Sequence, residues 1–267
     1  MSFDFLMTDH PSWHAEGAGR VRVLTCGPGS FWIVRVQGRQ VTTTRVRGDQ
    51  VPPPLDVFSA PRAPRPQSEP IHAPLAEMGS VARLRNPDLW EAVATAIIRQ
   101  VIRAGQARKL HREFCRRFGD VIALSGETDL HTFPSAQRVI TLSDDDFTIS
   151  GMSFKRKPLR HAATAFLTHG RSWMDLSPSV LAKELQTVSG IGPWSAGAAV
   201  ADWSNDWALY PYADLAVRTW ARHANPHHHW ANDEPTFGRQ WRRVTGDNLA
   251  TYTLLTLAYG TQQAGAV

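Results

Sequence analysis

Leu185-Gln-Thr-Val-Ser-Gly-Ile-Gly-Pro-Trp-Ser-Ala196, followed after an apolar stretch by Tyr210-Pro-Tyr-Ala-Asp-Leu-Ala-Val-Arg218, is the part of the chain whose reading decides the fold. Just upstream, Ser177-Pro178 supplies a hydroxyl cap and a proline at a first helical position. Leu181, Leu185 and Val188 continue that helix at helical spacing. Gly190 and Gly192 end it, because glycine tolerates positive φ and lets a second backbone come close. Another helix opens near Pro193-Trp194. Its first N–H groups, with those of the turn, form an anion site suited to a phosphate, built from Gly190, Ile191, Gly192, Trp194, Ser195 and Ala196. Gly-Ile-Gly by itself fits an ordinary helix corner equally well. Asp214 then opens a further helix, whose N-terminus favours an ionised carboxylate. Taken alone, such an aspartate is most simply a cap.

Bulk properties agree with a polyanion as partner. The chain has 267 residues, a net charge of +5 and a pI near 9.6. Arg99, Arg103, Arg108, Lys109, Arg112, Arg116 and Arg117 crowd one stretch, and Lys155, Arg156, Lys157 and Arg160 another. Most of these read as a solvated helix face. Two cysteines, Cys26 and Cys115, are too few for a disulfide framework or a four-thiolate iron–sulfur cluster. There is no run of eighteen apolar residues and no basic-then-apolar leader pattern, so a cytoplasmic protein that does not meet the membrane is expected.

Residues 20–46 alternate apolar and polar through Val21, Val23, Trp32, Val34, Val36, Val41 and Thr43, which predicts a small antiparallel sheet. Eight prolines between Pro52 and Pro74 predict a stiff linker or strap, neither helix nor central strand. From Leu89 the pattern turns helical, with further helices over 107–118, 157–169, 178–188, 194–204, 214–223 and 248–260. The expected class is α+β, mainly α. A β-rich N-terminal domain with its linker would occupy 1–75, and a helical domain 76–267, with the hairpin at 178–204. The first 18 residues carry no assignment, and His227-His228-His229 reads as a solvated loop.

The string Val188-Ser-Gly-Ile-Gly-Pro-Trp-Ser-Ala196, with Asp214 following Gly192 by 22 residues, resembles the helix-hairpin-helix (HhH-GPD) DNA glycosylase superfamily, and within it the AlkA-like 3-methyladenine-DNA glycosylase II branch. Ala96-Ile-Ile-Arg-Gln-Val101, Phe133-Pro-Ser-Ala-Gln-Arg138, Gly151-Met-Ser-Phe-Lys-Arg156 and Thr251-Tyr-Thr-Leu-Leu255 match in the same order, from about Arg83 to Gly260. The resemblance implies a helical body of two helical subdomains behind a small β-rich domain. It implies a DNA N-glycosylase that flips a damaged base, an alkylated purine above all, out of double-stranded DNA and hydrolyses its N-glycosidic bond, with Asp214 as the catalytic group. It implies a monomer with no required cofactor. A sodium or potassium ion at the hairpin would be held by the carbonyls of Gln186, Val188 and Ile191. Gln100 and Val101 match the pair that fills the gap left by the flipped base, with Arg103 nearby to assist; Val101 is smaller than the family's usual leucine.

Trp194 stands where bifunctional relatives of that superfamily carry a Schiff-base lysine. An indole is no amine nucleophile, so no AP-lyase activity is expected. Trp194, Ala198, Leu215 and Leu249 are the positions implied to line the base pocket. Ala198 and Leu215 replace tyrosines there and Leu249 a tryptophan, which removes stacking surface and leaves room. A glycosylase for bulkier lesions, or a non-catalytic hairpin protein that only binds DNA, are the alternatives this leaves open.

Overall fold

The computed structural model describes residues 3–123 and 129–265, which form two compact units. The larger unit comprises His10–Pro54 and Arg85–Ser204, the smaller one Met1–Asp9, Leu55–Leu84 and Asn205–Val267. The units interleave along the chain, in place of the one boundary expected between 75 and 76.

In the larger unit, β2 (His14–Glu16), β3 (Gly19–Thr25), β4 (Phe31–Gln37) and β5 (Gln40–Arg47) form the expected antiparallel sheet in chain order. Alternate residues Val21, Val23, Phe31 and Ile33 point to one face and close a core with Ile122 and Leu130. The helical part is organised around α2 (Leu89–Arg99). Asp88 caps it by accepting from the N–H groups of Trp90 and Glu91, and nearly every residue from Leu89 to Ile98 is buried. A helix apolar all round must be enclosed, and α2 packs on α3 (Ala104–Phe118), α6 (Arg156–Met174) and α8 (Pro193–Ser204). Small residues Gly197, Ala198, Ala199 and Ala201 let α8 approach. Two short helices, α4 (Ala136–Thr141) and α5 (Asp144–Ile149), precede α6, and a Ser143–Asp146 capping box starts α5.

The smaller unit holds a three-stranded sheet in the order β1 (Phe5–Leu6), β7 (Ser80–Leu84), β6 (Leu55–Ser59), with β1 parallel to β7. The first residues therefore do form structure, and the β content is not wholly antiparallel. The proline-rich stretch is also more than a strap. β6 falls in the gap between Pro54 and Pro61 and is an edge strand, where prolines beside it cost no ladder bond. α1 (Glu69–Ala76) tolerates Pro70 in its first turn. Pro74 removes the bond to the carbonyl of Pro70, and Asn225 Nδ2 donates to that oxygen instead, at 3.0 Å. α9 (Leu215–Ala224), α10 (Glu234–Thr245) and α11 (Leu249–Gly265) complete the unit, with Phe237 stacked on Trp241 in its core.

Behind α2 in the larger unit lies a buried ionic cluster. His10 Nε2 is 3.7 Å from both Glu91 Oε1 and Asp202 Oδ2, and Arg22 Nη2 is 3.4 Å from Glu91 Oε1. His10, Glu91 and His111 bring their donor atoms within 4.8 Å of one another. The Arg22 guanidinium already provides the positive charge beside Glu91, so the group acts as an ion network between sheet and helix. Burial pushes Glu91 up to about 7 and His111 down to about 3. Because the folded value for His111 lies below the unfolded 6.5, its contribution is complete above pH 6.5 and is lost as the pH falls through the window toward 3. His111→Leu removes that titration. The stability gap between wild type and variant in urea unfolding should therefore narrow by roughly 2 kcal/mol between pH 7 and pH 5. An equal gap at both pH values would show that His111 is not held neutral.

Candidate functional site

In the smaller unit Asp214 is the N-cap of α9. Its Oδ1 accepts from the Val217 N–H at 3.0 Å, and its Oδ2 accepts from the Tyr210 hydroxyl at 2.9 Å. Local sequence makes this geometry. Pro211 starts a tight turn, closed by the Asp214 N–H on the Pro211 carbonyl at 2.8 Å, which brings the Tyr210 ring back beside the carboxylate. Tyr210 is 4% exposed and Trp207 packs on it with ring centroids 5.1 Å apart. The Arg83 guanidinium lies 4.7 Å from the Trp207 ring centroid and is paired with Asp9. The carboxylate is thus held by a main-chain donor and by a phenol that is itself held. Asp214 remains half-buried, and Leu215 beside it is 69% exposed, a large apolar side chain offered to solvent next to a fixed charge. Leu249 opens α11, which packs on α9, and is half-buried.

In the larger unit the hairpin forms as expected, with a shorter first helix. α7 (Pro178–Leu185) stops three residues before Val188, because Gln186, Thr187 and Val188 bond back three residues to Lys183, Glu184 and Leu185. Gly190 takes φ +92, and Pro158 of α6 packs against it so closely that an added Cβ would meet the proline Cβ at 2.7 Å. Gly192 is exposed with open space where a Cβ would go. The Ala196 N–H closes the first helical bond of α8, onto the Gly192 carbonyl at 3.0 Å. The N–H groups of Gly192, Trp194 and Ser195 lie ahead of that bond, in the first turn of α8. Ala196 is therefore removed from the expected anion set, since its N–H is engaged and its side chain is fully buried. Ser195 keeps only its N–H for such a role, because its side chain points inward and its Oγ meets Gln100 Nε2 at 2.5 Å. Ile191 is 5% exposed, with its N–H on the Val188 carbonyl at 3.0 Å. Trp194 is half-buried, one turn before the buried Ala198 on the same face of α8. Gln186, whose carbonyl belongs to the expected cation set, is exposed.

The end of α2 is clasped to this hairpin. Gln100 is the C-cap, and its Nε2 donates to the Gly190 carbonyl at 2.9 Å as well as to Ser195 Oγ. The next residue, Val101, has φ +58 and is 102% exposed. A β-branched residue with positive φ is a steric outlier, and an apolar side chain wholly outside the surface has no packing to repay it. Val101 is thus excluded from the core. Ile102 beside it is half-buried, and Arg103 is exposed as the first residue before α3.

Several functional contacts were not legible beforehand. Lys155 sits in a basic run but is 4% exposed, with its ammonium on the Gln100 carbonyl at 2.8 Å. Arg112 donates to the carbonyls of Pro11 and Trp13 and is not a solvated cation, while Arg156 and Arg160 both pair with Asp144. The Tyr210–Asp214 pair had a signal, a tyrosine four residues before the aspartate with a proline between, but spacing alone does not say that the ring turns back. Of the three adjacent histidines, His228 packs on Trp230 and meets Gln240, so they do not converge on one point.

No protein-family model matches the chain. DNA-3-methyladenine glycosylase of Bacillus subtilis (strain 168) is 28% identical over 114 residues, a stretch covering 41% of this chain and 37% of that relative's own length. Among solved structures, 3-methyladenine DNA-glycosylase from Archaeoglobus fulgidus aligns with a TM-score of 0.71 at 17% identity, over 94% of this chain and 90% of its own. The Clostridium acetobutylicum 8-oxoguanine glycosylase/lyase, solved with double-stranded DNA containing cytosine opposite 8-oxoG, aligns with a TM-score of 0.68 at 16% identity, over 97% and 90%. Among the described residues no helix is long and apolar enough to cross a membrane.

Proposed function

On the fold of the helix-hairpin-helix DNA glycosylases, we propose that this chain is itself a monofunctional DNA glycosylase. It would turn a damaged base, an alkylated purine, out of duplex DNA and hydrolyse the N-glycosidic bond, leaving an abasic site. The observation that carries this reading is the Asp214 carboxylate, anchored at the start of α9 by Val217 and Tyr210. As the bond to C1′ breaks, the base leaves with the electron pair and positive charge develops on the deoxyribose. An ionised carboxylate stabilises that charge. It also accepts a proton from the water whose oxygen bonds to C1′. A cationic alkylated purine departs neutral and needs no strong acid. The Bacillus subtilis relative supports a DNA glycosylase of this superfamily, and the AlkA-like branch rests on the resemblance of the sequence motifs.

The hairpin end of α8 would hold a backbone phosphate, and Val101 would enter the gap left by the base. Trp194 in the larger unit offers stacking surface, and Leu215 in the smaller unit offers exposed apolar surface. Trp194 supplies no amine, so no strand cleavage follows base release. A sodium or potassium ion would be held by the carbonyls of Gln186, Val188 and Ile191. The Val188 oxygen accepts the Ile191 N–H and keeps a second lone pair that such an ion could take. When bound, such an ion adds positive charge against the phosphate. The protein would act as a monomer in the cytoplasm. Ala198, one turn from Trp194 in the larger unit, adds no stacking surface, and Leu215 and Leu249 in the smaller unit are aliphatic, which supports a bulkier adduct than 3-methyladenine.

Mass spectrometry of bases released from DNA treated with several alkylating agents tests the proposal. Free alkylated purines should appear, with the strand intact at the abasic site and no protein–DNA adduct trapped by borohydride. Tight duplex binding with no base released would leave a DNA-binding module only. A trapped adduct would overturn the monofunctional assignment.

A further inference from the structure

Gln100 and Val101 are the two central residues of a turn. Gln100 has φ −55 and ψ 129, and Val101 has φ +58. These three angles match a type II turn, which needs positive φ at its second central position and therefore selects glycine or asparagine there. Valine is a poor choice. The related type I turn differs by a flip of the peptide plane between the two central residues, and it would return Val101 to negative φ with nearly the same chain path. Something must hold the plane.

The carbonyl oxygen of that same peptide, Gln100 O, accepts the Lys155 ammonium at 2.8 Å. Lys155 ends the short 3-10 turn Ser153–Lys155, is 4% exposed, and lies 5.2 Å from the Phe154 ring centroid. Burial is the cause that pushes its ammonium down, to about 8. Sinking a lysine to satisfy a single main-chain oxygen is a costly arrangement for packing alone. A flip of the 100–101 peptide would swing that oxygen away and leave the buried ammonium without this acceptor. The Gln100 side chain is meanwhile fixed to Gly190 and Ser195, so the residue cannot follow the flip as a whole.

We propose that Lys155 is a positioning residue that locks the peptide between Gln100 and Val101, and so keeps the Val101 side chain projecting from the surface in the orientation that enters DNA. The role in DNA rests on the reading of the chain as a base-flipping glycosylase; the lock itself does not. Lys155→Met keeps length and apolar bulk and removes the charge, and Lys155→Arg keeps a donor. Both are made in the full chain, and circular dichroism confirms that each is folded.

The first measurement needs no DNA. Backbone and Cβ chemical shifts of Val101 report the sign of its φ. The positive-φ form should dominate in the wild type, fall about tenfold relative to the negative-φ form in Lys155→Met, and be restored at least in part by Lys155→Arg. A Val101 that keeps positive φ in Lys155→Met overturns the lock. Should Lys155→Met not fold, the lock is decided in folded wild-type protein by raising the pH from 7 to 9.5, through the ammonium's titration. The positive-φ form should then decline, and an unchanged Val101 signal would overturn the proposal.

The second measurement uses a duplex with 2-aminopurine opposite an abasic-site analogue. Its unstacking signal should drop about tenfold in Lys155→Met while salt-sensitive binding to undamaged duplex is kept. A wild type that shifts Val101 as described but never unstacks the base would sink the glycosylase reading and leave the lock standing.

Discussion

Asp214→Asn should lower single-turnover release of alkylated purines by on the order of 10³-fold, with duplex affinity kept within about twofold. The amide is isosteric: its Oδ1 still accepts from the Val217 N–H, while its Nδ2 donates to the Tyr210 oxygen in place of the lost acceptor, so the cap and the start of α9 survive. It cannot stabilise a cationic sugar or take a proton from water, and those losses fall on the chemical step. Tyr210→Phe grades the same effect. It removes one donor from the carboxylate and leaves the ring packed on Trp207, so release should fall about tenfold in rate with substrate affinity unchanged. Quench-flow with one prepared alkylated duplex measures both. Equal rates for wild type and Asp214→Asn would rule out this carboxylate as the reacting group.

The two hairpin glycines should separate fold from binding. Gly190→Ala forces a Cβ onto a residue at φ +92 and into the Cβ of Pro158 at 2.7 Å, a contact no side-chain rotation relieves. Strain of this kind costs roughly 1–3 kcal/mol, so the midpoint of thermal unfolding should fall by several degrees. Gly192→Ala meets open space in the protein and should unfold as the wild type does. Its Cβ would project from the exposed turn where a phosphate must approach the N–H groups of α8, so duplex affinity should fall about tenfold. Scanning calorimetry and fluorescence anisotropy read the two effects separately. A Gly192→Ala protein that binds duplex as tightly as the wild type would remove the phosphate from this turn.

Much of the fold was open to reading because its determinants are local. Pro178 at a first helical position, the Asp214 side-chain cap and the positive φ of Gly190 act through dihedrals and bonds within a few positions, although the Ser177 hydroxyl makes no cap bond and α7 ends before the glycine turn, at Leu185. The alternation from Val21 to Val36 likewise marks a sheet with one face in the core. Local rules misled in the stretch from Pro52 to Pro74. Proline there counts against helix and strand until one sees that β6 lies at an edge and that Asn225 takes over the carbonyl left by Pro74. They misled again at Ser195 and Lys155, where polarity or position in a charged run predicts exposure but packing buries the side chain.

While α1, α4, α5 and α10 and the end of α7 at Leu185 emerge only in the folded chain, the amino-acid sequence by itself determined that helices start at Pro178 and near Pro193, that a glycine corner leads into α8, and that a carboxylate opens α9. Those features follow from backbone sterics and hydrogen bonding over a few residues. Only the tertiary structure decided what grips them. Gln100 reaches Gly190 and Ser195 across 90 and 95 positions and takes the Lys155 ammonium across 55, and these contacts fix a valine outside the surface with a backbone angle it would not choose. The Ser195 hydroxyl and the Lys155 ammonium are polar groups that burial would otherwise leave unpaired, a demand that arises only once the chain has folded around them.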